Sequence, residues 1–281
     1  MSGAPALQHV TAADRADVVV VACGLSRQQR AYVVDGLRLR ADCRFIDSFD
    51  ELDGVLQTLT RCDAVVLPPR DVRGRDALPT VELLARDWPA TAIVIFCPPQ
   101  PTGFSPRALL LAGAHDVVFE GVHDTAASLA QKVEDARRER AAENVFARLE
   151  PLVPAALHSM VQIILARADV MTSVGVVADA LGVHRKTLVN RCAKADFLDP
   201  GEVVVWCRLA MVGHLLERTG CTVERIGINL GFPSHTALRN LIKRHVGLRA
   251  LEIRRQGGLE AVIQAFSRRI GTRAAAKLPI Q

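Results

Sequence analysis

In the first half of the chain, hydrophobic positions come as short continuous runs separated by longer stretches of helical period. Apolar, strand-forming segments fall at Val18–Ala22, Arg44–Ile46, Ala64–Leu67, Ile93–Cys97 and Val117–Phe119. Between them, residues 26–39, 48–60, 78–88, 105–113 and a long stretch from about 123 to 148 carry helix-like spacing. Five strands alternating with five helices predict a parallel sheet covered on both faces. A run such as "DVVVVA", with no polar alternation, fits a strand buried from both sides. The long last helix reaches "EPLVP", where Pro151 and Pro154 end it, so a domain boundary is expected near 150.

The pattern then changes. From 151 onward there is no strand alternation, the periodicity is helical, and one unit occurs twice. Leu181-Gly182 recurs as Leu230-Gly231, an offset of 49, and Leu188, Asn190 and Cys192 recur as Leu238, Asn240 and Ile242, an offset of 50. Two copies are too few for a solenoid; one motif is used twice. Each copy spells helix, tight turn, helix. Val177, Ala178 and Leu181 form the inward side of the first supporting helix, and Val223, Ile226 and Leu230 that of the second, with a glycine stopping each. Ser234, after Pro233, is a good N-cap for the helix that follows; His184 at the equivalent place is a poorer one.

The second helix of each copy has two dissimilar faces. In "SHTALRNLIKR", Leu238, Leu241 and Ile242 make an inward stripe, while His235, Arg239 and Lys243 fall opposite, with Thr236, Asn240 and Arg244 beside them. The first copy offers His184, Arg185, Lys186, Thr187, Asn190 and Arg191 in the same way. Donors and acceptors of this kind read base edges or hold phosphates, so double-stranded DNA is the expected partner. Charge changes the picture in the same direction. Residues 1–150 hold 17 Lys/Arg against 21 Asp/Glu, a balance of −4, and residues 151–281 hold 18 against 9, a balance of +9. Within the basic half, 180–195 and 225–251 contain no acid at all.

The stretch from about 152 to 257 resembles the AraC-type DNA-binding domain of bacterial transcription regulators. The residues that carry the likeness are "VADALGVHRKTL", "RLAMVGHLLERTGCTVERI" and "GFPSHTALRNLIKRHVGLRALEIR". They include an Arg-Leu linker helix with its Leu215-Leu216 pair, the Gly-Phe-x-Ser turn, Lys243, Gly247 and the closing Arg254. The chain departs from the pattern at Asn190 and Asn240, where arginine is usual, at Cys192, Leu238 and Ile242, where aromatics are usual, and at Gly227 and Ala250. The linker, expected from about Glu202 to Glu217, would span roughly 24 Å at 1.5 Å per residue. A rod of that length holds two recognition helices near one DNA turn apart, about 34 Å. The resemblance implies that both enter successive major grooves, on a site of two short boxes. It also admits RNA polymerase as a further partner.

The order of elements before 150 resembles the receiver domain of response regulators, which has the flavodoxin-like layout. That resemblance implies acids after strand one, a phosphoacceptor Asp after strand three, a hydroxyl residue after strand four and a Lys after strand five. The corresponding positions here are Ala22 and Cys23, Pro68, Cys97 and Glu120, and Asp71 lies beyond "PPR" in a loop. The switch chemistry is absent from these positions, which predicts a domain not phosphorylated at a receiver Asp. Its expected use is subunit pairing or sensing of another signal, with helix 123–148 as the pairing element of a homodimer.

The expected organisation is a receiver-like domain at 1–150, an AraC-type domain at 151–257, and a segment at 258–281 comprising a short helix at 259–269 and a loose basic end. The fold class is α/β followed by all-α. No run approaches a membrane span, and "MSGAPALQHV" is no secretory signal, so the chain is expected to be cytoplasmic, away from membranes. The seven cysteines show no C-x-x-C pairing, which fits small hydrophobes in a reducing compartment. Two other classes stay open. A flavodoxin-like enzyme or nucleotide binder lacks support, because "ACGLSR" replaces G-x-G-x-x-G after strand one, no phosphate-loop lysine motif occurs, and His115 and His123 have no partner spacing. Neither a cofactor nor a metal is therefore expected. An architectural DNA binder without sequence preference is the other alternative.

Overall fold

The computed structural model describes residues 18–38, 40–99, 103–122, 125–217 and 221–275; the start of the chain, His123 and the last residues of the basic tail lie outside them. The chain divides into two compact units, Met1–Arg140 and Ala141–Gln281.

Among the described residues of the first unit, strands β1 (Val19–Cys23), β2 (Asp42–Ile46), β3 (Ala64–Leu67), β4 (Ala92–Cys97) and β5 (Asp116–Phe119) form one parallel sheet in the order β2-β1-β3-β4-β5. This is the flavodoxin-like layout seen in receivers. Helices α1 (Arg27–Leu37), α2 (Phe49–Thr58), α3 (Leu78–Asp87), α4 (Pro106–Leu111) and α5 (Thr125–Leu149) follow the strands in turn. Every side chain of β3 and β4 is buried, because alternate residues feed two separate cores. Val20, Ala22, Val66, Val94 and Phe96 pack with α1 and α5 residues on one face, and Val21, Val65, Leu67, Ile93 and Ile95 with α2 and α3 residues on the other. The continuous apolar runs of the sequence are the signature of this double burial.

Helix α5 continues past the division between the units. Its residues Ala141, Ala142, Val145 and Leu149 belong to the core of the second unit, which is why that unit begins ahead of the proline break. Pro151 does end the α-helix: a 3-10 turn covers Glu150–Leu152, and a second covers Ala155–Leu157.

The second unit continues with α6 (His158–Ala166), α7 (Val174–Ala180), α8 (Arg185–Lys194), α9 (Pro200–Leu216), α10 (Val223–Asn229), α11 (His235–His245), α12 (Ala250–Arg255) and α13 (Leu259–Ala275). At its centre is α9. Asp199 caps it by accepting from the amides of Gly201 and Glu202 at 2.9 and 3.1 Å, and Pro200 occupies its first turn. Buried residues surround its axis, from Val203 and Trp206 to Leu209, Met211 and Leu216, so it is enclosed on every side and mostly apolar.

The tail differs from its expected form. The last helix runs to Ala275, not 269, and it packs on α9 through Leu259, Ala261, Val262, Ala265 and Phe266. The approach is close at Gly213, where an added Cβ would lie 2.8 Å from Val262 and 3.0 Å from the Gly258 carbonyl. Arg269 completes the seam, donating to one Glu202 oxygen from Nε at 2.9 Å and Nη2 at 2.7 Å. This helix is part of the domain's core, and no phosphate-binding role is needed to account for it.

Candidate nucleic-acid interface

The two helix-turn-helix copies repeat in detail. Supporting helices α7 and α10 are both seven residues long, capped by Ser173 and Thr222 through the amides three residues on. Gly182 and Gly231 both take φ of +63°, the left-handed conformation that turns the chain without steric cost in glycine alone. After them the amides of Val183 and Phe232 reach back to the carbonyls of Ala178 and Gly227 at 3.0 and 2.8 Å, the long bond of a Schellman stop. Ser234 then caps α11 by accepting from Ala237 N at 3.1 Å. His184 caps α8 in its place, its Nδ1 accepting from Lys186 N at 3.2 Å.

What seats the second turn was not foreseen from the sequence. Arg208 of α9 is buried, and its guanidinium donates to Ala168 O at 3.1 Å and to Leu230 O at 2.6 Å. It also lies 3.9 Å from the centre of the Phe232 ring. One cation thus satisfies the end of α10, the segment after α6 and the aromatic of the Gly-Phe turn. Burial lowers its pKa, and Asp169 nearby opposes that shift. Arg254 does a similar job further on, donating to Leu216 O at 2.9 Å and to Cys221 O. The pattern had pointed to both arginines; their roles as internal fasteners become visible only in the fold.

Recognition helices α8 and α11 bury Leu188 with Cys192 and Leu238 with Ile242. Of the sequence-predicted contact residues, His184, Arg185, Lys186, Asn190, Arg191, Ser234, His235, Thr236, Arg239, Asn240, Lys243 and Arg244 are exposed, and Thr187 is half-buried. The cations are not equally available. Arg185, Lys186, Arg191 and Arg244 have no hydrogen-bond or ion-pair partner among the described residues. By contrast, Arg239 Nη2 is held 2.6 Å from the carboxylate of Glu224 on α10, and Lys243 Nζ donates to Gly247 O at 2.8 Å. Glu224 sits immediately before the acid-free stretch, and the angle between α10 and α11 brings it back over the recognition helix. Its own backbone amide, helped by Arg239 and Thr222, holds its carboxyl below the ordinary range against the opposing effect of desolvation.

In the first unit, β1 ends at Cys23, Pro68 follows β3, Cys97 ends β4 and Glu120 follows β5. Asp71 is buried but fully engaged by its own loop: Oδ1 accepts from Arg73 N at 2.9 Å and Arg75 N at 3.0 Å, and Oδ2 from Arg75 Nε at 3.0 Å. Burial pushes its carboxyl up, and these bonds together outweigh that and hold it below the usual range. Arg75 also pairs with Asp50 and bonds Ser48. None of the seven cysteines is bridged. Burial pushes Cys23, Cys62, Cys97 and Cys207 up to about 12 and Cys43 to about 11, which keeps these thiols protonated.

A doubled helix-turn-helix around a buried linker, with basic outward faces, defines a DNA-binding unit of the transcription-regulator kind. Residues 177–256 match the family model described as "Helix-turn-helix domain", and the carboxyl-terminal unit is such a domain, of AraC type. No curated protein matches the chain. Among solved structures, the response regulator StyR is 16% identical, covering 67% of this chain and 97% of its own, with a TM-score of 0.35. RcsB from Salmonella enterica serovar Typhimurium, bound to a promoter, is 14% identical over 64% of this chain and 91% of its own, with a TM-score of 0.34. Full-length FixJ from B. japonicum is 16% identical over 70% and 97%, with a TM-score of 0.33.

Proposed function

We propose that the protein is a sequence-specific transcription regulator whose helices α8 and α11 enter successive major grooves on one DNA face. The observation that carries this reading is the duplicated motif held on one buried rod: both copies turn at the same φ and both present a basic helix. In this reading Arg185, Lys186, Arg191 and Arg244 are the ready phosphate contacts, and Asn190, Asn240, Thr236 and Arg239 face base edges. The amino-terminal unit is a receiver-like domain that carries no phosphoryl group on a receiver Asp. Pro68 after β3 and the fully bonded Asp71 support that, and treatment with acetyl phosphate should leave the chain's mass unchanged. The protein acts as a cytoplasmic homodimer joined through this unit. Exposed Leu110 and Leu111 give it apolar surface for pairing, and among the described residues no helix is long and apolar enough to cross a membrane. The domains in this reading are the receiver-like unit to about 150, the DNA-binding domain to 257, and the terminal helix.

The test is selection of binding sites from a random DNA pool, followed by salt titration on the winner. Two boxes about one turn apart, with a steep negative salt slope, are expected. Salt-sensitive binding that enriches no sequence would replace this reading with an architectural one.

A further inference from the structure

A cavity of about 360 Å³ opens at the carboxyl ends of β1, β3, β4 and β5, in the first unit. Open α/β sheets bind ligands in this crevice, and the volume lies at the small-molecule end of known pockets. Its chemistry is unusual in one respect. Glu120 lines it and is 7% exposed, yet its carboxylate has no hydrogen-bond or ion-pair partner among the described residues.

The walls explain why no partner is at hand. Pro68, Pro69 and Pro98 have no N–H to offer. The Gln29 amide is turned to the backbone, donating to Phe96 O at 3.1 Å while its oxygen accepts from Ser26 N. Arg70, the cation of the wall, already donates to Gly74 O and Gly103 O and faces Asp76. The rest of the lining is Gly24, Ser26, the loop-bonded Asp71, and an apolar part made by Phe104, Val72 and the proline rings. Glu120 lines the open cavity, so a donor carried by a ligand can reach its carboxylate. An anion would meet Glu120 head-on. A metal ion would find too few ligands, because no three His, Cys, Asp or Glu side chains converge among the described residues.

We propose that this cavity binds a small organic cation, an amine or amidine on an apolar body, with Glu120 as its counter-ion and Phe104 packing against the body. The site takes the place where a receiver would hold its phosphoryl group, and gives that place to a ligand of opposite charge.

The test uses the full chain with benzamidine and benzylamine as probes, and benzamide, benzyl alcohol and benzoate as neutral and anionic counterparts. Binding is followed by saturation-transfer NMR and by titration of the melting curve. The cations are expected to bind at least about tenfold more tightly than their neutral counterparts, the worth of one charge-assisted hydrogen bond, and benzoate not at all. Glu120→Gln should lose that tenfold preference while the unliganded melting curve is unchanged. Phe104→Ala should weaken all the probes that bind, cation and neutral alike. Equal binding of benzamidine and benzamide, retention of the preference in Glu120→Gln, or no binding of either cation at millimolar concentration would overturn the proposal. DNA takes no part in the readout, so its outcome is independent of the DNA-binding reading.

Discussion

Replacing Arg208 by methionine should cost the second unit about 2–4 kcal/mol, although the residue touches no predicted DNA contact. The substitution removes two hydrogen bonds from a charged donor, worth about 1.5–3 kcal/mol each, and strands the carbonyls of Ala168 and Leu230. It also removes a desolvated cation–π contact with Phe232 worth about 2 kcal/mol. Against these losses, methionine is spared the cost of burying a charge, several kcal/mol, which is why the net figure is well below their sum. For a unit of this size the net loss lowers the midpoint by roughly 10 °C, at about 3–5 °C per kcal/mol. Trp206, buried in α9, reports the transition once Trp88 of the first unit is replaced by phenylalanine. Arg208→Lys, with one ammonium in place of a fork, should fall between the two. If Arg208→Met melts within a degree or two of the parent, the cation contributes no more than an apolar filler, and the account of the Gly-Phe turn fails.

Other expectations follow from single contacts. Gly231→Ala should destabilise by more than 1 kcal/mol, since a Cβ there would sit 2.4 Å from Asp169 O in a left-handed backbone; Gly227→Ala, whose Cβ meets nothing closer than 3.8 Å, should stabilise by about 0.5–1 kcal/mol in the same urea titration. Replacing Arg185 and Lys186 together by alanine should reduce the slope of log K against log salt by about 2 in a fluorescence-anisotropy titration, and an unchanged slope would remove α8 from the interface. Glu224→Gln should tighten DNA binding several-fold by releasing Arg239, whereas Arg239→Ala should cost about 1–3 kcal/mol on the selected site if it reads a base, and the same on every sequence if it holds only phosphate. Burial beside Trp206, reinforced by Arg244 and Arg269 and opposed by Glu202, lowers the pKa of His245 below its ordinary value near 6.5. Its contribution is therefore complete above pH 6.5 and lost as pH falls; His245→Gln should flatten that part of the stability–pH curve, and identical curves would refute it.

The strands were legible to within about two residues, because parallel strands buried on both faces leave unbroken apolar runs. The doubled motif was legible because a left-handed glycine and a capping residue are local requirements that repeat at fixed spacing. Features set by contacts distant in sequence were not. No breaker marks the passage of α5 from one unit into the other, since alanines at 141 and 142 suit a helix in either. The terminal helix was read as short because its basic residues suggest a frayed end, whereas Arg269 is held by Glu202, 67 positions away. The Arg239–Glu224 pair escaped notice for a similar reason: the acid lies on the preceding helix, just outside the acid-free stretch. Glu120 was seen only as a misplaced receiver residue, because the cavity it lines is formed by loops that follow four different strands and cannot be read from order alone.

The enclosure of α9 has a consequence for how such a regulator can diverge. One inserted residue would lengthen the rod by 1.5 Å but rotate everything beyond it by about 100°. Of the twelve buried residues of α9, packed on every side, all those beyond the insertion would be turned out of their seats at once. Under the two-groove reading, the gap between the boxes of the target is therefore inherited as a constant. The bases within each box stay free to drift, through substitutions on the exposed faces of α8 and α11 that leave the core untouched. A search for related operators should hold the spacing fixed and let the letters vary.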